Sequence, residues 1–215
     1  MGPVSVVIVD DHPAVVDGIR AWCAVADPPI VVVACGDHPG VATTGPGADA
    51  DVVVFDLLLR GGLPSFPELA QLVEAGRRVV VYSQSAGNDT ILHCLELGVA
   101  TYLTKAEGHE HLIPALRAVA ADRPYVSPAL GGAMADDRRP SRPVLSDRER
   151  EVLLAWFESD SKNLVASRFN LSAKTVETYI DRVRIKYAEL GRPATTKAAL
   201  VARALQDGLV DLADL

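Results

Sequence analysis

Short apolar runs alternate with helix-like segments through the first 122 residues, and this alternation constrains the fold more than any other feature. The runs are brief, rich in valine and apolar at consecutive positions, which is typical of strands buried on both faces of a sheet. Because a helical segment follows each run, neighbouring strands are expected to be parallel. The candidate strands span residues 4–9, 30–35, 52–55, 79–82 and 100–103.

We therefore predict an α/β domain at residues 1–122, with a doubly wound, five-stranded parallel sheet of the flavodoxin-like type. The second helix is the weakest element, because residues 36–47 contain four glycines and two prolines and favour a short or distorted turn. Residues 123–143 are rich in proline and glycine and are predicted to be a linker. The other helices of this domain are expected near 14–26, 66–75, 89–97 and 111–121.

After the linker the pattern is helical, and it predicts a second, all-α domain at 144–215. Ser146 and Glu149 form a capping-box pattern that marks the start of a helix. A short helix, a tight turn and a longer helix that begins at Ser172 are typical of a helix-turn-helix. The predicted helices after the first lie at 162–169, 172–189 and 195–206.

Composition excludes a disordered chain, since 49% of the residues are hydrophobic and 23% are charged. The net charge of −7 conceals an asymmetry: residues 1–140 carry −8 and residues 141–215 carry +1. Residues 162–203 contain nine basic and three acidic side chains, which indicates a polyanionic partner. No apolar run is long enough for a membrane helix, and the three cysteines are widely spaced, so we expect a cytoplasmic protein with reduced thiols.

Carboxylates follow two of the predicted strands: Asp10 and Asp11 end the first, and Asp56 ends the third. The carboxyl ends of parallel strands share one edge, so these three groups are expected to converge and to need a cation. Oxygen ligands favour Mg²⁺, which can neutralise a phosphoryl group. Ser83 and Lys105 end the fourth and fifth strands, and the whole set suits attack by the Asp56 carboxylate on phosphorus. The five histidines have no ligand spacing and are expected at the surface.

These residues resemble the receiver domain of bacterial two-component response regulators. The resemblance implies that Asp56 is the phosphoacceptor and that Asp10, Asp11 and Asp56 hold Mg²⁺. It also implies phosphoryl-binding or switch roles for Ser83, Tyr102 and Lys105. The chain departs from the common family pattern at Leu59, Arg60 and Ala106.

The second half resembles the LuxR-type helix-turn-helix of NarL/FixJ-like regulators, through residues 145–153, residues 171–176 and Lys186. The resemblance implies that outward residues of the longer helix read bases; here they are acidic or neutral, and an acidic side chain can accept from cytosine N4. Arg192 is expected to add a phosphate contact. The loop at 187–194 is longer than is usual in the family, and the last helix is either a dimer surface or core packing. The DNA-binding residues are expected to be Lys174, Thr175, Glu177, Thr178, Asp181, Arg182, Arg184 and Lys186.

The sequence thus predicts a DNA-binding transcription regulator that is controlled by aspartyl phosphorylation, and not an enzyme. Its expected partners are Mg²⁺, a sensor histidine kinase, double-stranded DNA and a second copy of the chain. One alternative is an orphan regulator that uses its first domain for dimerisation or ligand sensing without phosphorylation. Another is a Mg²⁺-dependent phosphatase with an aspartyl nucleophile, although residues 10–12 lack the spaced Asp-x-Asp pattern of such enzymes.

Overall fold

The computed structural model describes residues 3–59, 62–136, 142–159 and 161–210. Its first half is built on a five-stranded sheet in which every neighbouring pair is parallel, with the order β2-β1-β3-β4-β5. The predicted doubly wound fold is confirmed. The strands are β1 Ser5–Val9, β2 Val31–Gly36, β3 Val52–Phe55, β4 Val79–Ser83 and β5 Thr101–Thr104.

Helices cover both faces of this sheet. As the glycines and prolines predict, the connection after β2 holds only a 3₁₀ turn at Pro39–Ala42 and the four-residue helix α2. The helices of the first half are α1 Pro13–Val25, α2 Gly45–Ala48, α3 Phe66–Glu74, α4 Asn88–Leu97 and α5 Gly108–Ala120.

The two faces of the sheet bury two separate apolar layers, which explains why the strands are apolar at consecutive positions. On one face Ile8 packs with residues of α1 and α5. On the other face Val7 and Val53 pack with residues of α3 and α4, and this layer continues into the C-terminal half. The sheet therefore has a rigid frame, and its carboxyl edge is held in place by packing on both sides.

The interval predicted as a linker contains a packed helix, α6 Pro128–Asp136. This helix contacts α4 and β5 and buries Leu130, Ala133 and Met134. Its start is fixed by the buried Ser127, whose hydroxyl donates to the Tyr102 carbonyl at 2.6 Å and accepts from Leu130 N–H at 3.1 Å. Glycine and proline in the sequence concealed this helix, and contacts with β5 and α4 stabilise it. Residues 137–141 lie outside the described part of the chain.

The second half is helical wherever it is described, as predicted. The capping box at Ser146 and Glu149 is formed at the start of α7. Asn170, in the left-handed region, ends α8, and the Ser172 hydroxyl accepts from Thr175 N–H at 3.0 Å to begin α9. The helices are α7 Asp147–Phe157, α8 Lys162–Phe169, α9 Ala173–Glu189 and α10 Lys197–Gln206. None of the helices in the described ranges combines the length and hydropathy needed to cross a bilayer.

The last helix, α10, is buried within this chain. Its residues contact α6, and the N-cap residue Thr196 donates its hydroxyl to the Val99 carbonyl at 3.3 Å. Gly98, which ends α4 at a φ of 98°, allows this close approach, because a Cβ there would collide with the Thr195 hydroxyl. The apolar stripe of α10 is therefore covered by its own chain.

Candidate functional site

The predicted convergence of carboxylates occurs at the carboxyl edge of the sheet. Asp10 and Asp56 directly follow β1 and β3, which are neighbouring strands, and they are only 5% and 2% exposed. Asp11 is partly exposed beside them. Lys105 Nζ lies 2.6 Å from Asp56 Oδ2 and 2.8 Å from Asp10 Oδ2. We call Asp10, Asp11 and Asp56 the acid pocket.

His12, one of the five histidines predicted to lie at the surface, also contacts the acid pocket. The side chain of His12 is half exposed, but its Nδ1 lies 3.0 Å from Asp10 Oδ1 and 3.0 Å from Asp11 Oδ1. Asp56 Oδ2 is 3.7 Å from the same nitrogen. In the sequence, the only indication that His12 belongs to this site was its position directly after Asp10 and Asp11. A search for metal ligands separated by several residues does not detect adjacent ones.

The acid pocket fits a divalent cation. One ligand atom from each of Asp10, Asp11, His12 and Asp56 lies within 4.8 Å of all the others. Carboxylate oxygens are the donors that Mg²⁺ prefers, and the low exposure of Asp10 and Asp56 makes an unneutralised cluster costly. The donor set and the burial therefore both favour binding of a cation.

The predicted hydroxyl and aromatic residues lie near the acid pocket and are fully buried. Ser83 is the last residue of β4, and Tyr102 lies in β5. The Tyr102 phenol donates to the Ser85 carbonyl at 2.8 Å. Burial raises the pKa of Tyr102, so the side chain is a neutral hydrogen-bond donor at physiological pH.

The turn after β5 connects the acid pocket to α6. Lys105 begins a 3₁₀ turn in which Glu107 Oε2 accepts from Thr104 N–H at 2.6 Å. The other carboxylate oxygen of Glu107 accepts from Ala129 N–H, in the first turn of α6, at 3.1 Å.

Of the departures from the family pattern, Ala106 lies inside the 3₁₀ turn that follows β5. Leu59 is buried, and Arg60 lies outside the described residues.

The second candidate site is the outward face of α9. Its inward residues Val176, Ile180 and Val183 are buried, as their spacing predicts. The first turns of the opposite face are open to solvent, which suits insertion into the major groove. The exposed residues on this face are Lys174, Glu177, Thr178, Asp181 and Arg182.

Ion pairs neutralise the acidic residues of this face in part. Glu177 Oε1 accepts from Lys162 Nζ at 2.7 Å, and Asp181 Oδ1 accepts from Arg184 Nη1 at 2.9 Å. The hydrogen bond and charge of Lys162 lower the pKa of Glu177, so this side chain is a carboxylate at neutral pH. Thr175, also predicted to bind DNA, is half-buried, and its hydroxyl is hydrogen-bonded to that of Ser172 at 2.8 Å.

Two basic residues of the second half are bonded to acidic residues of their own domain. Lys186 Nζ donates to Glu149 Oε2 at 2.6 Å and to the Val144 carbonyl at 2.8 Å, so it stabilises the start of α7. The expectation that Arg192 reaches a DNA phosphate is wrong. Arg192 is 2% exposed and its Nη1 bonds Asp207 Oδ1 at 2.8 Å, because the longer loop folds this side chain into the domain.

Two family models match this chain, one in each half. The model of the response regulator receiver domain matches residues 6–117, and that of the bacterial regulatory proteins of the luxR family matches residues 143–189. The receiver match covers more than half of the chain.

Related proteins share this arrangement over most of their length. The nitrate/nitrite response regulator protein NarL of Escherichia coli (strain K12) is 28% identical over 83% of this chain and 86% of its own. The probable transcriptional regulatory protein NarL of Mycobacterium tuberculosis (strain ATCC 25618 / H37Rv) is 29% identical over 97% of this chain and 96% of its own. The crystal structure of the response regulator ChrA of a heme-sensing two-component system is similar with a TM-score of 0.51 and 26% identity, over 98% of this chain and 100% of that one.

Proposed function

Because this chain belongs to the response regulators of the NarL type, with a receiver domain and a LuxR-type DNA-binding domain, we propose that a phosphoryl group on Asp56 controls its binding to double-stranded DNA. The observation that carries the proposal is the bridge from Lys105 Nζ to the buried carboxylates of Asp10 and Asp56. We divide the chain into a receiver domain at 1–122, a connecting segment at 123–143 that contains the packed helix α6, and a DNA-binding domain at 144–215.

Asp56 is the nucleophile in this proposal. A carboxylate oxygen of Asp56 attacks the phosphorus of a phosphohistidine on a sensor kinase. The bond from phosphorus to the imidazole nitrogen breaks, its electron pair returns to that nitrogen, and an acyl phosphate forms on Asp56. Asp10, Asp11 and Asp56 would hold Mg²⁺, which would neutralise the charge of the phosphoryl group when bound.

Neighbouring side chains then bind the new group. Lys105, whose ammonium contacts the Asp56 carboxylate at 2.6 Å, is within reach of a phosphoryl group on that oxygen. Ser83 is the last residue of β4, the strand next to β3, and its hydroxyl donates a hydrogen bond to a second phosphoryl oxygen in this proposal. Both interactions exist only in the phosphorylated state, so they are the differential contacts that a two-state switch needs.

A continuous set of contacts leads from the acid pocket to the second half. Tyr102 lies in β5, which ends directly before Lys105. The Tyr102 carbonyl accepts a hydrogen bond from the Ser127 hydroxyl at the start of α6. The Met134 carbonyl of α6 accepts from Gln206 Nε2 of α10 at 3.0 Å. Rearrangement of Tyr102 and Ser83 therefore acts on α6, and through α6 on α10, the last helix, for which the sequence left a dimer surface and core packing open.

In DNA binding, the N-terminal part of α9 enters the major groove. Lys174 and Arg182 supply charge toward phosphates, while Glu177, Thr178 and Asp181 face base edges. Arg184 orients Asp181 through their ion pair. We assign Lys186 to the structure of the domain rather than to a DNA contact, since it is bonded to Glu149. Freed α10 helices would join two copies on two half-sites.

The first test measures phosphorylation directly. The full-length protein is incubated with acetyl phosphate and Mg²⁺ and weighed intact, and a gain of one phosphoryl group is expected. Asp56→Asn should show no gain, whereas Asp17→Asn, an exposed acid near the pocket, should behave like the wild type. A gain that persists in Asp56→Asn would contradict the assignment.

The second test measures coupling. Salt-dependent gel shifts on selected operator DNA, with and without acetyl phosphate, should show tighter binding by the phosphorylated protein. Equal DNA affinity of wild type and Asp56→Asn under both conditions would instead favour the orphan regulator that works without phosphorylation.

A further inference from the structure

We propose that His12 is a nitrogen ligand that lets the acid pocket bind a divalent first-row transition ion in addition to Mg²⁺. The inference rests on the proposed metal site and concerns its metal selectivity. Its starting observation is that His12 Nδ1 lies within 3.0 Å of carboxylate oxygens on both Asp10 and Asp11.

The imidazole and the lysine occupy different sides of Asp10. Lys105 Nζ contacts Oδ2 of Asp10, whereas His12 Nδ1 contacts Oδ1. Lys105 can therefore stay bonded to its own oxygen, while Oδ1 of Asp10, Oδ1 of Asp11 and Nδ1 of His12 are the atoms that would hold an ion. A metal ligand nitrogen must be unprotonated, so any proton on Nδ1 would leave to solvent when an ion binds there.

The backbone holds the imidazole in position. His12 N–H donates to Asp10 Oδ1 at 2.8 Å, and the His12 carbonyl accepts from Val15 N–H at 3.0 Å as α1 begins. Pro13, the first residue of α1, has a restricted φ that further limits the movement of this segment. The candidate ligands thus come from residues 10–12, in one short hydrogen-bonded turn, and from Asp56, which directly follows the neighbouring strand β3.

The chemistry of the donors suggests which ions bind. Three carboxylates alone favour Mg²⁺, Ca²⁺ and Mn²⁺, while an imidazole adds affinity for the later first-row ions from Fe²⁺ to Zn²⁺. Mg²⁺ prefers oxygen ligands and keeps several bound waters, so the imidazole adds little to its affinity. A surface cleft of about 350 Å³, whose lining includes Asp10 and Asp11, adjoins the acid pocket.

The decisive measurement is the affinity for two metals. Isothermal titration of the full-length protein with Co²⁺ and with Mg²⁺ is compared between wild type, His12→Gln and His38→Gln, the last being a matched change at an exposed histidine. We expect His12→Gln to weaken Co²⁺ binding by roughly tenfold or more, the scale of losses around metal sites, and to change Mg²⁺ binding by less than about twofold. His38→Gln should match the wild type for both ions.

A second readout detects the nitrogen itself and does not depend on a variant that folds. Pulsed electron paramagnetic resonance of the wild type loaded with one equivalent of Cu²⁺, an ion of the later first-row group, should show coupling to ¹⁴N, and the coupling should be absent in His12→Gln and present in His38→Gln. Metal binding without nitrogen coupling, or equal loss of Co²⁺ and Mg²⁺ affinity in His12→Gln, would overturn the inference and leave the oxygen site intact. No binding of Mg²⁺ or Co²⁺ to the wild type would overturn both the inference and the metal part of the proposed function.

Discussion

Arg203 Nη2 lies 3.2 Å from Glu96 Oε1, and this ion pair joins the last helix to α4 of the receiver half. The guanidinium is fully buried, and it also donates to Gln206 Oε1 at 2.9 Å. A buried cation depends on its anionic partner, so Glu96 stabilises the position of α10.

Replacement of Glu96 by glutamine should loosen α10. Loss of a charged hydrogen bond to a buried group costs roughly 1–3 kcal/mol, so amide exchange in α10 is expected to be about tenfold faster. Hydrogen exchange read by mass spectrometry checks this, and sedimentation should show more dimer. Asp89→Asn, on the exposed side of the same helix, is the control. Unchanged exchange in α10 would mean that the ion pair does not hold the helix.

Replacement of Lys105 by methionine should destabilise the receiver half, because Asp10 and Asp56 would keep two buried negative charges without the ammonium. Breaking a buried pair typically costs about 3–5 kcal/mol. Added Mg²⁺ should recover part of this loss, so the rise in Tm on Mg²⁺ addition should be larger in Lys105→Met than in the wild type. Thermal unfolding with and without Mg²⁺ measures both effects, with Lys174→Met as an exposed control. A variant with wild-type Tm would contradict the role of Lys105.

The pair of Lys186 and Glu149 should make the DNA-binding half acid-sensitive. Burial opposes ionisation of Glu149, but hydrogen bonds from Lys186 and Ser146 outweigh it and lower its pKa. Because the folded pKa is below the unfolded one, the pair stabilises the fold above the ordinary glutamate pKa of about 4.3. This stabilisation is lost as the pH falls through the folded value.

Lys186→Met is therefore expected to lower the free energy of unfolding by about 1–3 kcal/mol at neutral pH, and its difference from the wild type should shrink as the pH falls below the ordinary glutamate pKa of about 4.3. Urea unfolding followed by the fluorescence of Trp156, which is buried in α7, measures the effect. Lys174→Met serves as the exposed control. A difference that is the same at both pH values would rule out Glu149 as the titrating group.

Glu177 and Lys174 should affect DNA binding in different ways. Glu177→Gln is expected to change the preferred base at one position of the site, since a carboxylate that accepts from cytosine N4 is lost, with discrimination changed by roughly 1–3 kcal/mol. Lys174→Gln should weaken binding to all sequences and lower the salt slope by about 1. Selection from random DNA, followed by salt titration, separates the two effects. Unaltered base preference in Glu177→Gln would remove this residue from readout.

Local patterns in the sequence were sufficient to identify most elements. Consecutive valines predicted strands that are covered on both faces, and the capping residues Ser146 and Ser172 predicted where α7 and α9 begin. The order of strand ends also brought Asp10, Asp56 and Lys105 together, since parallel strands share one carboxyl edge. These features depend on periodicity, caps and chain direction, which the sequence carries directly.

Other features depended on contacts between distant residues. The helix α6 forms in a segment rich in glycine and proline because β5, α4 and Ser127 support it, and no local pattern contains that support. The direction of the His12 ring, the burial of Arg192 and the pairing of Arg203 with Glu96 were likewise decided by the tertiary structure. A long polar side chain has several staggered conformations of similar energy, and the charges that it meets after folding select among them.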